Sequence, residues 1–419
     1  MPEFFNVLPP DKARALLLSH LTAVLPSETI PTTAALGRIT AAASRAPHAL
    51  PTFRRSTMDG YAVRAADTFG ASESLPAFLQ VIGEVPMGQA ANVTLASGQA
   101  AIVHTGGMIP ETADAVVQVE LTQTIGAESE PPYEIEVLKA VAPGQNVLQV
   151  GEDVAHEAEV LPAGHLLRPQ DLGGLLALGI IEVQVVRQPR VGILATGDEV
   201  IDPGATAVFG QIRDINSYTI AGQVAQAGGI PVLGGIIPDD LDALKTAAAN
   251  MLAENDMLVM SAGSSVSVRD MTVEVIDGLG QPGVLLHGVA TRPGKPTIVG
   301  VVNDGAAQKP VIGLPGNPVS AMVQFDMFGT PAIYQLQGLT KPPQRGLVWA
   351  TLTQNIASES GREDYVPGRL EQSNDGLHVT PVFGKSNLIY TLVNADGLIK
   401  IPLNKAGIVA GEMVEVRFF

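Results

Sequence analysis

Three loops in the second half of the chain each follow an apolar run, and one of them, Ser261 to Ser265, consists of small and hydroxyl-bearing residues. Small residues and hydroxyl groups let backbone N–H groups approach an anion closely, as in phosphate-binding turns. One such loop is more often an ordinary Gly/Ser turn, whereas three at the carboxyl ends of parallel strands favour a shared binding crevice. The candidate residues are Thr196-Gly197-Asp198-Glu199, Ser261-Ala262-Gly263-Ser264-Ser265 and Pro315-Gly316-Asn317-Pro318.

Carboxylates accompany these loops. They are Asp198 and Glu199 in the first loop, Asp239-Asp240 after the next apolar run, and Asp270 shortly after the serine-rich loop. Carboxylates beside a phosphate suit Mg²⁺, which completes its coordination with substrate oxygens and water. The alternatives are a helix N-cap for Asp239 or Asp240 and a solvated turn for Glu199.

A basic pair lies between prolines in an otherwise acidic chain. Arg292 and Lys295 belong to the segment Thr291-Arg292-Pro293-Gly294-Lys295-Pro296. Because proline restricts the backbone of this loop, less entropy is lost when the two side chains hold an anion. We therefore expect the pair to bind phosphate or another oxyanion, and a surface loop with scattered charges is the alternative.

Hydrophobic periodicity predicts the elements that position these residues. Residues 188–336 alternate strand and helix patterns, which predicts a doubly wound parallel sheet. Short alternating strands predict an extended, mostly β domain at 47–149 and a small, β-barrel-like domain at 340–419. Residues 1–46 and 150–187 are predicted to form a discontinuous linking domain with helical character. The fold class is therefore multidomain α/β plus β.

Four helices follow from apolar residues spaced for one helical face. They are predicted at residues 10–25, 169–179, 217–227 and 241–253. The helix at 169–179 ends at a glycine, which is typical of helix C-termini.

Composition limits the possible functions. The net charge of −17 and the lack of a basic run argue against nucleic-acid binding, so an anionic ligand must be held by local cations, backbone N–H groups or a bridging divalent ion. The chain has no cysteine, so any sulfur ligand of a metal must come from the substrate. Without a signal-peptide pattern or an apolar run long enough for a membrane span, we expect a cytoplasmic protein with no membrane partner.

Short motifs follow one another through almost the whole chain. They are Asp59 within residues 51–63, Thr105-Gly106 with residues 113–117, Gly151-Glu152-Asp153, Thr196 to Glu199, residues 261–270, residues 292–296 and residues 313–320. In this order they resemble one family, the molybdopterin molybdenumtransferases, which include bacterial MoeA and the gephyrin E domain. Each motif is short, but the ordered set is highly specific.

The resemblance implies an elongated four-domain subunit in which the α/β domain binds molybdopterin. It also implies a homodimer with the active site at the subunit interface, where Asp59 reaches the partner's cleft. The implied reaction is the Mg²⁺-dependent insertion of molybdate into adenylated molybdopterin with release of AMP.

The same resemblance implies roles for individual residues. Glu199, Asp239 and Asp270 are expected to hold Mg²⁺ and phosphate, and Asp59 to join them as a catalytic residue. Arg292 and Lys295 are expected to neutralise the oxygens of molybdate or phosphate. Further implied substrate contacts are Thr105, Asp153 and Ser386.

Two other functions remain open from the sequence. An adenylyltransferase that attaches AMP to molybdopterin would resemble residues 188–336 alone, so the Asp59 motif and the C-terminal domain favour insertion. A dimeric scaffold that binds a partner protein would not need the full set of carboxylates. Four residues before Arg292, where some relatives have lysine, this chain has Gly288. Because of this difference, the sequence does not determine whether the oxyanion is molybdate or tungstate.

Overall fold

A computed structural model of the chain describes residues 7–126, 130–262, 266–305, 307–343 and 346–419. Its contacts divide the chain into two compact units. The larger unit contains Met1–Ala42, Ala163–Leu172 and Ile181–Phe419, and the smaller contains Ala43–Pro162 and Gly173–Ile180. The predicted division into four domains is finer than these two units and stays a prediction.

The smaller unit is built on a largely antiparallel sheet in which one pair of strands, Ala77–Glu84 and Gln99–Val103, runs parallel. Period-two alternation directs Leu79, Val81, Ile135 and Val137 into one buried cluster, because successive strand residues face opposite sides of a sheet. The predicted mostly β region is confirmed. The strands are β1 (Gly60–Val63), β2 (Ala77–Glu84), β3 (Gln99–Val103), β4 (Ala115–Gln118), β5 (Thr122–Ile125) and β6 (Tyr133–Val137), in the order β4-β1-β3-β2-β6-β5.

The larger unit contains the α/β sheet that the sequence predicts. Its order is β8-β7-β9-β12-β11-β10, with β8, β7, β9 and β12 parallel and β11 antiparallel to both of its neighbours, β12 and β10. The antiparallel pair at one side was not assigned from the sequence. The strands are β7 (Arg190–Thr196), β8 (Ile230–Ile237), β9 (Met257–Ala262), β10 (Pro282–His287), β11 (Ile298–Asp304) and β12 (Ala307–Pro315).

Helices cover both faces of this sheet. One face is covered by α3 (Asn216–Gln226) and α6 (Pro318–Gln324), whose apolar side chains share a cluster with Val191 and Ile193 of β7. The other face is covered by α4 (Leu241–Glu254), which packs beside Leu194 of the same strand. Helices on both faces of parallel strands make the doubly wound arrangement, which is therefore confirmed.

The remaining helices and short strands complete the description. The helices are α1 (Pro10–Ser19), α2 (Pro169–Ala177), α5 (Val266–Leu279), α7 (Thr330–Leu336) and α8 (Tyr390–Val393), with 3₁₀ turns at Thr32–Ala34, Ala65–Thr68 and Val119–Leu121 and a π-helical turn at Phe325–Gly329. Short strands pair Ser27–Pro31 with Glu182–Val186, Ser44–Arg45 with Glu159–Leu161, Arg55–Ser56 with Val147–Leu148, Val200–Ile201 with Ile212–Arg213, and Ile356–Ala357 with Gly407–Ile408.

The first helix is shorter than its apolar spacing predicts. It ends at Ser19, although Leu21 is still buried, and Val24 is half exposed. The N–H group of Leu25 donates to the carbonyl oxygen of Leu336 at the end of α7, at 2.9 Å. This tertiary hydrogen bond requires an extended chain where the local pattern alone predicts more helix.

The C-terminal part of the larger unit is a closed barrel. Each neighbouring pair is hydrogen-bonded in the order β14-β15-β13-β17-β16, and β16 pairs again with β14. Ala350, Val379, Ile399 and Val416 fill its interior. The predicted β-barrel-like domain is confirmed. The strands are β13 (Leu347–Leu352), β14 (Glu363–Ser373), β15 (Gly376–Pro381), β16 (Gly397–Ile401) and β17 (Met413–Phe418).

Helices in the described part of the chain are all too short or too polar to cross a membrane.

Candidate active site

The candidate loops lie along one edge of the α/β sheet. In the register, Thr196 is level with Ile237, Ala195 with Ser261, and Ala262 with Pro315. The carboxyl ends of β8, β7, β9 and β12 therefore stand side by side. Three strand spacings separate the first from the last, or about 14 Å. A ligand bound along this edge must be elongated to touch both ends.

A carboxylate cluster, formed by Asp198, Glu199 and Asp239, lies at the end of this edge where β7 and β8 finish. The N–H group of Asp239 donates to Oδ1 of Asp198 at 3.2 Å. Burial, and then the charges of Asp198 and Glu199, raise the pKa of Asp239 above its usual range. Oδ1 of Asp239 and Oγ1 of Thr196 are both buried, and neither has a hydrogen-bond partner among the described residues. These oxygens are thus unsatisfied at the position that the sequence predicts for a metal-bound phosphate.

The neighbouring Asp240 has the structural role that was left open for one of the two aspartates. Its side chain accepts a hydrogen bond from the N–H group of Ala243 at 2.8 Å and caps α4. Asp239 is therefore available for another function, since one carboxylate is enough to cap the helix.

The cluster fits Mg²⁺ only with ligands from a substrate. Among the described residues no group of three or more His, Asp or Glu side chains is arranged to hold a metal ion by itself. Mg²⁺ commonly takes one or two protein carboxylates and fills its other positions with phosphate oxygens and water. The unsatisfied oxygen of Asp239 and the raised pKa of its carboxyl group are the features that a cation would relieve. Asp270 lies exposed on α5, and its predicted role in the metal site stays a prediction.

Ser261 occupies the middle of the edge and is buried. The side-chain amide of Asn216, at the start of α3, donates to Oγ of Ser261 at 2.7 Å and to the carbonyl oxygen of Gly316 at 2.8 Å. One side chain therefore joins the loop after β9 to the loop after β12. Gly263, Ser264 and Ser265 lie outside the described residues.

A cleft of about 1100 Å³ opens at the β12 end of the edge, where loops of the α/β sheet meet loops of the barrel. Pro315, Asn317 and Ser386 line it, together with the basic loop that contains Arg292 and Lys295. The amide of Asn317 donates to Oγ of Ser386 at 3.1 Å. The structure thus brings Ser386, expected from the resemblance alone, next to a loop predicted from the sheet. Among the described residues, the cleft lining does not include the carboxylate cluster, so the loops after β7 and β12 share an edge but not one enclosed pocket.

The basic side of the cleft is organised by a buried carboxylate. The short strand Thr291–Arg292 pairs in parallel with β14, which places Arg292 level with Asp364. Oδ1 of Asp364 accepts from Nε of Arg362 at 3.0 Å, and its Oδ2 lies 3.9 Å from Nη1 of Arg292. Arg362 also lines the cleft. Two guanidinium groups from different parts of the fold therefore lie beside a single carboxylate, which hydrogen-bonds to Arg362 and is close to Arg292.

The smaller unit brings together two further predicted residues. The N–H group and the hydroxyl of Thr105 both donate to Oδ1 of Asp59, at 2.8 and 3.2 Å. The backbone hydrogen bond, followed by the hydroxyl, lowers the pKa of Asp59, which keeps this exposed carboxylate ionised. A Cβ atom at Gly60 would lie 2.0 Å from the carbonyl oxygen of Val117, so the strand pairing requires glycine after Asp59.

The last predicted contact, Asp153, also lies in the smaller unit. Its side chain is exposed, and its N–H group donates to the carbonyl oxygen of Leu50 at 3.0 Å. Its predicted role as a substrate contact stays a prediction.

Comparisons with known proteins cover the chain from end to end. Family models match at residues 8–179 (MoeA N-terminal region, domains I and II), 192–335 (probable molybdopterin binding domain) and 349–419 (MoeA C-terminal region, domain IV). Molybdopterin molybdenumtransferase 2 of Mycobacterium tuberculosis is 33% identical over 395 residues, 93% of this chain and 94% of that protein. The molybdopterin molybdenumtransferase of Haemophilus influenzae is 33% identical over 414 residues, 98% of each chain. The chain belongs to the molybdopterin molybdenumtransferase family.

The fold agrees with this family membership. The crystal structure of a molybdopterin biosynthesis MoeA protein from Pyrococcus horikoshii superposes with a TM-score of 0.84 at 32% identity, covering 99% of this chain and 100% of that one. The family resemblance read from the motifs is therefore confirmed, and the chain is a transferase of molybdenum cofactor biosynthesis.

Sequence reasoning missed several residues that the fold of this family member places at the site. Asn216 had a visible signal, because Asp214 stands three residues before Ser217, which is the spacing of a helix N-cap and its backbone donor. The N–H group of Ser217 does donate to Oδ1 of Asp214 at 3.0 Å. Arg362 and Asp364 had a weaker one, a basic residue after Gly361 in an acidic chain. Their position beside Arg292 could not be read from the sequence, because it depends on the barrel strand that pairs with the basic loop.

Proposed function

We propose that this chain inserts molybdenum from molybdate into adenylated molybdopterin, with Mg²⁺ bound at the carboxylate cluster and AMP released. The observation that supports this most directly is the pair of opposite electrostatic sites along one sheet edge. Asp198, Glu199 and Asp239 suit a cation with its phosphate, and the cleft with Arg292 and Arg362 suits an oxyanion. The strand ends that border the two sites, those of β8 and β12, are roughly 14 Å apart, which suits a substrate with two separated reactive parts.

The residues of the chain would divide the reaction between the two ends. The phosphoanhydride between AMP and molybdopterin breaks, and an oxygen from water or molybdate ends on phosphorus. From the carboxylates of Asp198, Glu199 and Asp239, Mg²⁺ would take one or two ligands, and the bound ion would neutralise phosphate charge. At the other end, Arg292, Lys295 and Ser386 would orient molybdate while its metal forms bonds to the two dithiolene sulfurs and loses one oxygen. That oxygen leaves either as water with the two thiol protons or on the phosphorus of AMP. Both sulfurs belong to the substrate, since the chain has no cysteine.

The active form in this proposal is a homodimer in the cytoplasm. The family resemblance implies that Asp59 acts in the site of the partner subunit. Its exposed, ionised carboxylate, fixed by two hydrogen bonds from Thr105, is consistent with such a role. A rigid, charged side chain at an exposed position is suited to bind a cationic or hydrogen-bonding group from another molecule.

The proposal is tested by AMP release from adenylated molybdopterin, measured with and without molybdate and with and without Mg²⁺. Release should need both. Asp239→Asn should slow turnover strongly, because it replaces a hard anionic oxygen without changing side-chain size.

Asp240→Asn is the matched control for this experiment. It makes the same chemical change one residue away, and asparagine caps a helix as well as aspartate does. Equal turnover in the two variants would show that the cluster does not take part. Formation of adenylated molybdopterin from ATP, with no metal insertion, would show an adenylyltransferase instead.

A further inference from the structure

Gln324, at the end of α6, is a fully buried glutamine directly below the basic loop. Its amide nitrogen donates to Oγ1 of Thr291 at 3.0 Å and to the carbonyl oxygen of Pro293 at 2.9 Å. These two acceptors lie on either side of Arg292 in the sequence. Both N–H bonds of the amide are therefore used to hold the backbone that carries Arg292.

The loop is packed onto this amide. Gly294 has φ +102, and a Cβ atom built there would lie 2.3 to 2.5 Å from atoms of the Gln324 side chain. Only glycine allows the loop to come this close. The opposite atom of the amide, Oε1 of Gln324, is buried without a hydrogen-bond partner among the described residues. The Gln324 amide therefore leaves its oxygen unsatisfied in the core, while both of its N–H bonds are directed at the loop.

Hydrogen bonds within the loop transmit this support to Lys295. The N–H group of Val289 donates to the carbonyl oxygen of Lys295 at 2.9 Å. The hydroxyl of Thr297 donates to the carbonyl oxygen of Gly294 at 2.7 Å. The N–H group of Gly288 donates to the carbonyl oxygen of Thr297 at 2.9 Å. The segment from 288 to 297 is therefore a closed loop with Gln324 as its internal anchor.

We propose that Gln324 is a positioning residue for oxyanion binding: it holds the basic loop in the shape that directs Arg292 and Lys295 into the cleft. This inference rests on the proposed function for the identity of the oxyanion. Gln324 does not line the cleft and need not touch the substrate. Its effect on the reaction is exerted through the geometry of the loop, where a displacement of about 1 Å can change a rate by roughly 100-fold.

The test replaces Gln324 with methionine, which has a similar length and fills the same space but donates no hydrogen bond. Gln337→Met is the matched control, because Gln337 is also buried and its amide donates to the carbonyl oxygens of Ala227 and Ile333, away from the loop. Both variants are compared with the unchanged full-length protein for thermal stability, for KM of molybdate and of adenylated molybdopterin, and for kcat.

We expect Gln324→Met to raise the KM of molybdate by about 10- to 100-fold, with a smaller change for adenylated molybdopterin. Gln337→Met should lower stability comparably and leave the KM of molybdate unchanged. Thr291→Val, which removes one acceptor of the Gln324 amide, should give part of the same effect, and Thr291→Ser, which keeps the hydroxyl, should restore it. An unchanged KM of molybdate in folded Gln324→Met would overturn the proposal.

Amide hydrogen exchange separates this inference from the proposed function, because it needs no substrate. Gln324→Met should speed exchange of the amides of Gly288, Val289 and Thr297, whereas Gln337→Met should not. Unchanged exchange in Gln324→Met would refute the anchor itself. Faster exchange with unaltered molybdate binding would refute the assignment of the oxyanion to this loop, and with it that part of the proposed function.

Discussion

Replacement of Arg292 by alanine tests how an acidic protein holds an anion. The Arg292 side chain is 63% exposed, and the carboxylate of Asp364 lies 3.9 Å away, beyond hydrogen-bonding distance. Its donors therefore remain available to a ligand in the cleft. One charge-assisted hydrogen bond contributes about 1.5 to 3 kcal/mol, so Arg292→Ala should weaken molybdate binding by about 10- to 150-fold.

The same change should hardly affect folding. Asp364 is buried, but it keeps its 3.0 Å hydrogen bond to Arg362 when Arg292 is removed. The lost contact is a 3.9 Å approach from a mostly exposed guanidinium, so it should contribute no more than the roughly 0 to 1 kcal/mol of a surface pair. Arg292→Lys should recover only part of the affinity, because lysine lacks the planar pair of donors that matches two oxyanion oxygens. Arg45→Ala is the matched control, since Arg45 is 61% exposed and lies 3.6 Å from a carboxylate of Glu159 in the smaller unit.

Calorimetric titration of each variant with molybdate, and separately with adenylated molybdopterin, measures these affinities. The affinity lost in Arg292→Ala should shrink as salt is added, because salt screens exposed charges. Equal affinities of Arg292→Ala and the unchanged protein for both ligands would refute the placement of the anion site. An equal loss in Arg45→Ala would show that only net charge matters.

Three further predictions concern the dimer, the carboxylate cluster and the sheet edge. Mixed dimers of Asp59→Ala and Glu199→Gln subunits should regain activity that neither variant has alone, and inactive, verified mixed dimers would contradict a site shared between subunits. Because its native pKa is raised, Asp239 binds protons more tightly in the folded state, so its contribution to stability falls as pH rises through the range above 3.8. Asp239→Asn should therefore raise the melting temperature at neutral pH without Mg²⁺, and a gain of the same size near about pH 3 would rule out this cause. Asn216→Ala should lower the free energy of unfolding by about 2 to 3 kcal/mol in denaturant titrations, since it leaves the buried Ser261 hydroxyl and the Gly316 carbonyl without a donor; a change below roughly 0.5 kcal/mol would show that these groups find other partners.

Local patterns predicted most of the fold. A continuous apolar run predicted β7, which is buried on both faces by helices that the alternation of strand and helix patterns also predicted. The predicted helix 241–253 is observed as Leu241–Glu254, and 217–227 as Asn216–Gln226. Such elements are predictable because their hydrogen bonds and their apolar faces involve residues close in sequence. The loops after parallel strands were predicted for the same reason, since strand direction alone places them at one edge.

The arrangement of the site depends on contacts between distant residues. Asn317 and Ser386 are 69 residues apart, Gln324 and Thr291 are 33 apart, and Asn216 reaches Gly316 across 100 residues. The sequence by itself determined which residues are candidates for the chemistry, because residue type and the end of a strand are local properties. Only the tertiary structure decided which of them meet: it separated the carboxylate cluster from the basic cleft and placed a buried amide beneath Arg292. Side-chain hydrogen bonds of this kind depend on the packing of whole elements, and no short sequence pattern records that packing.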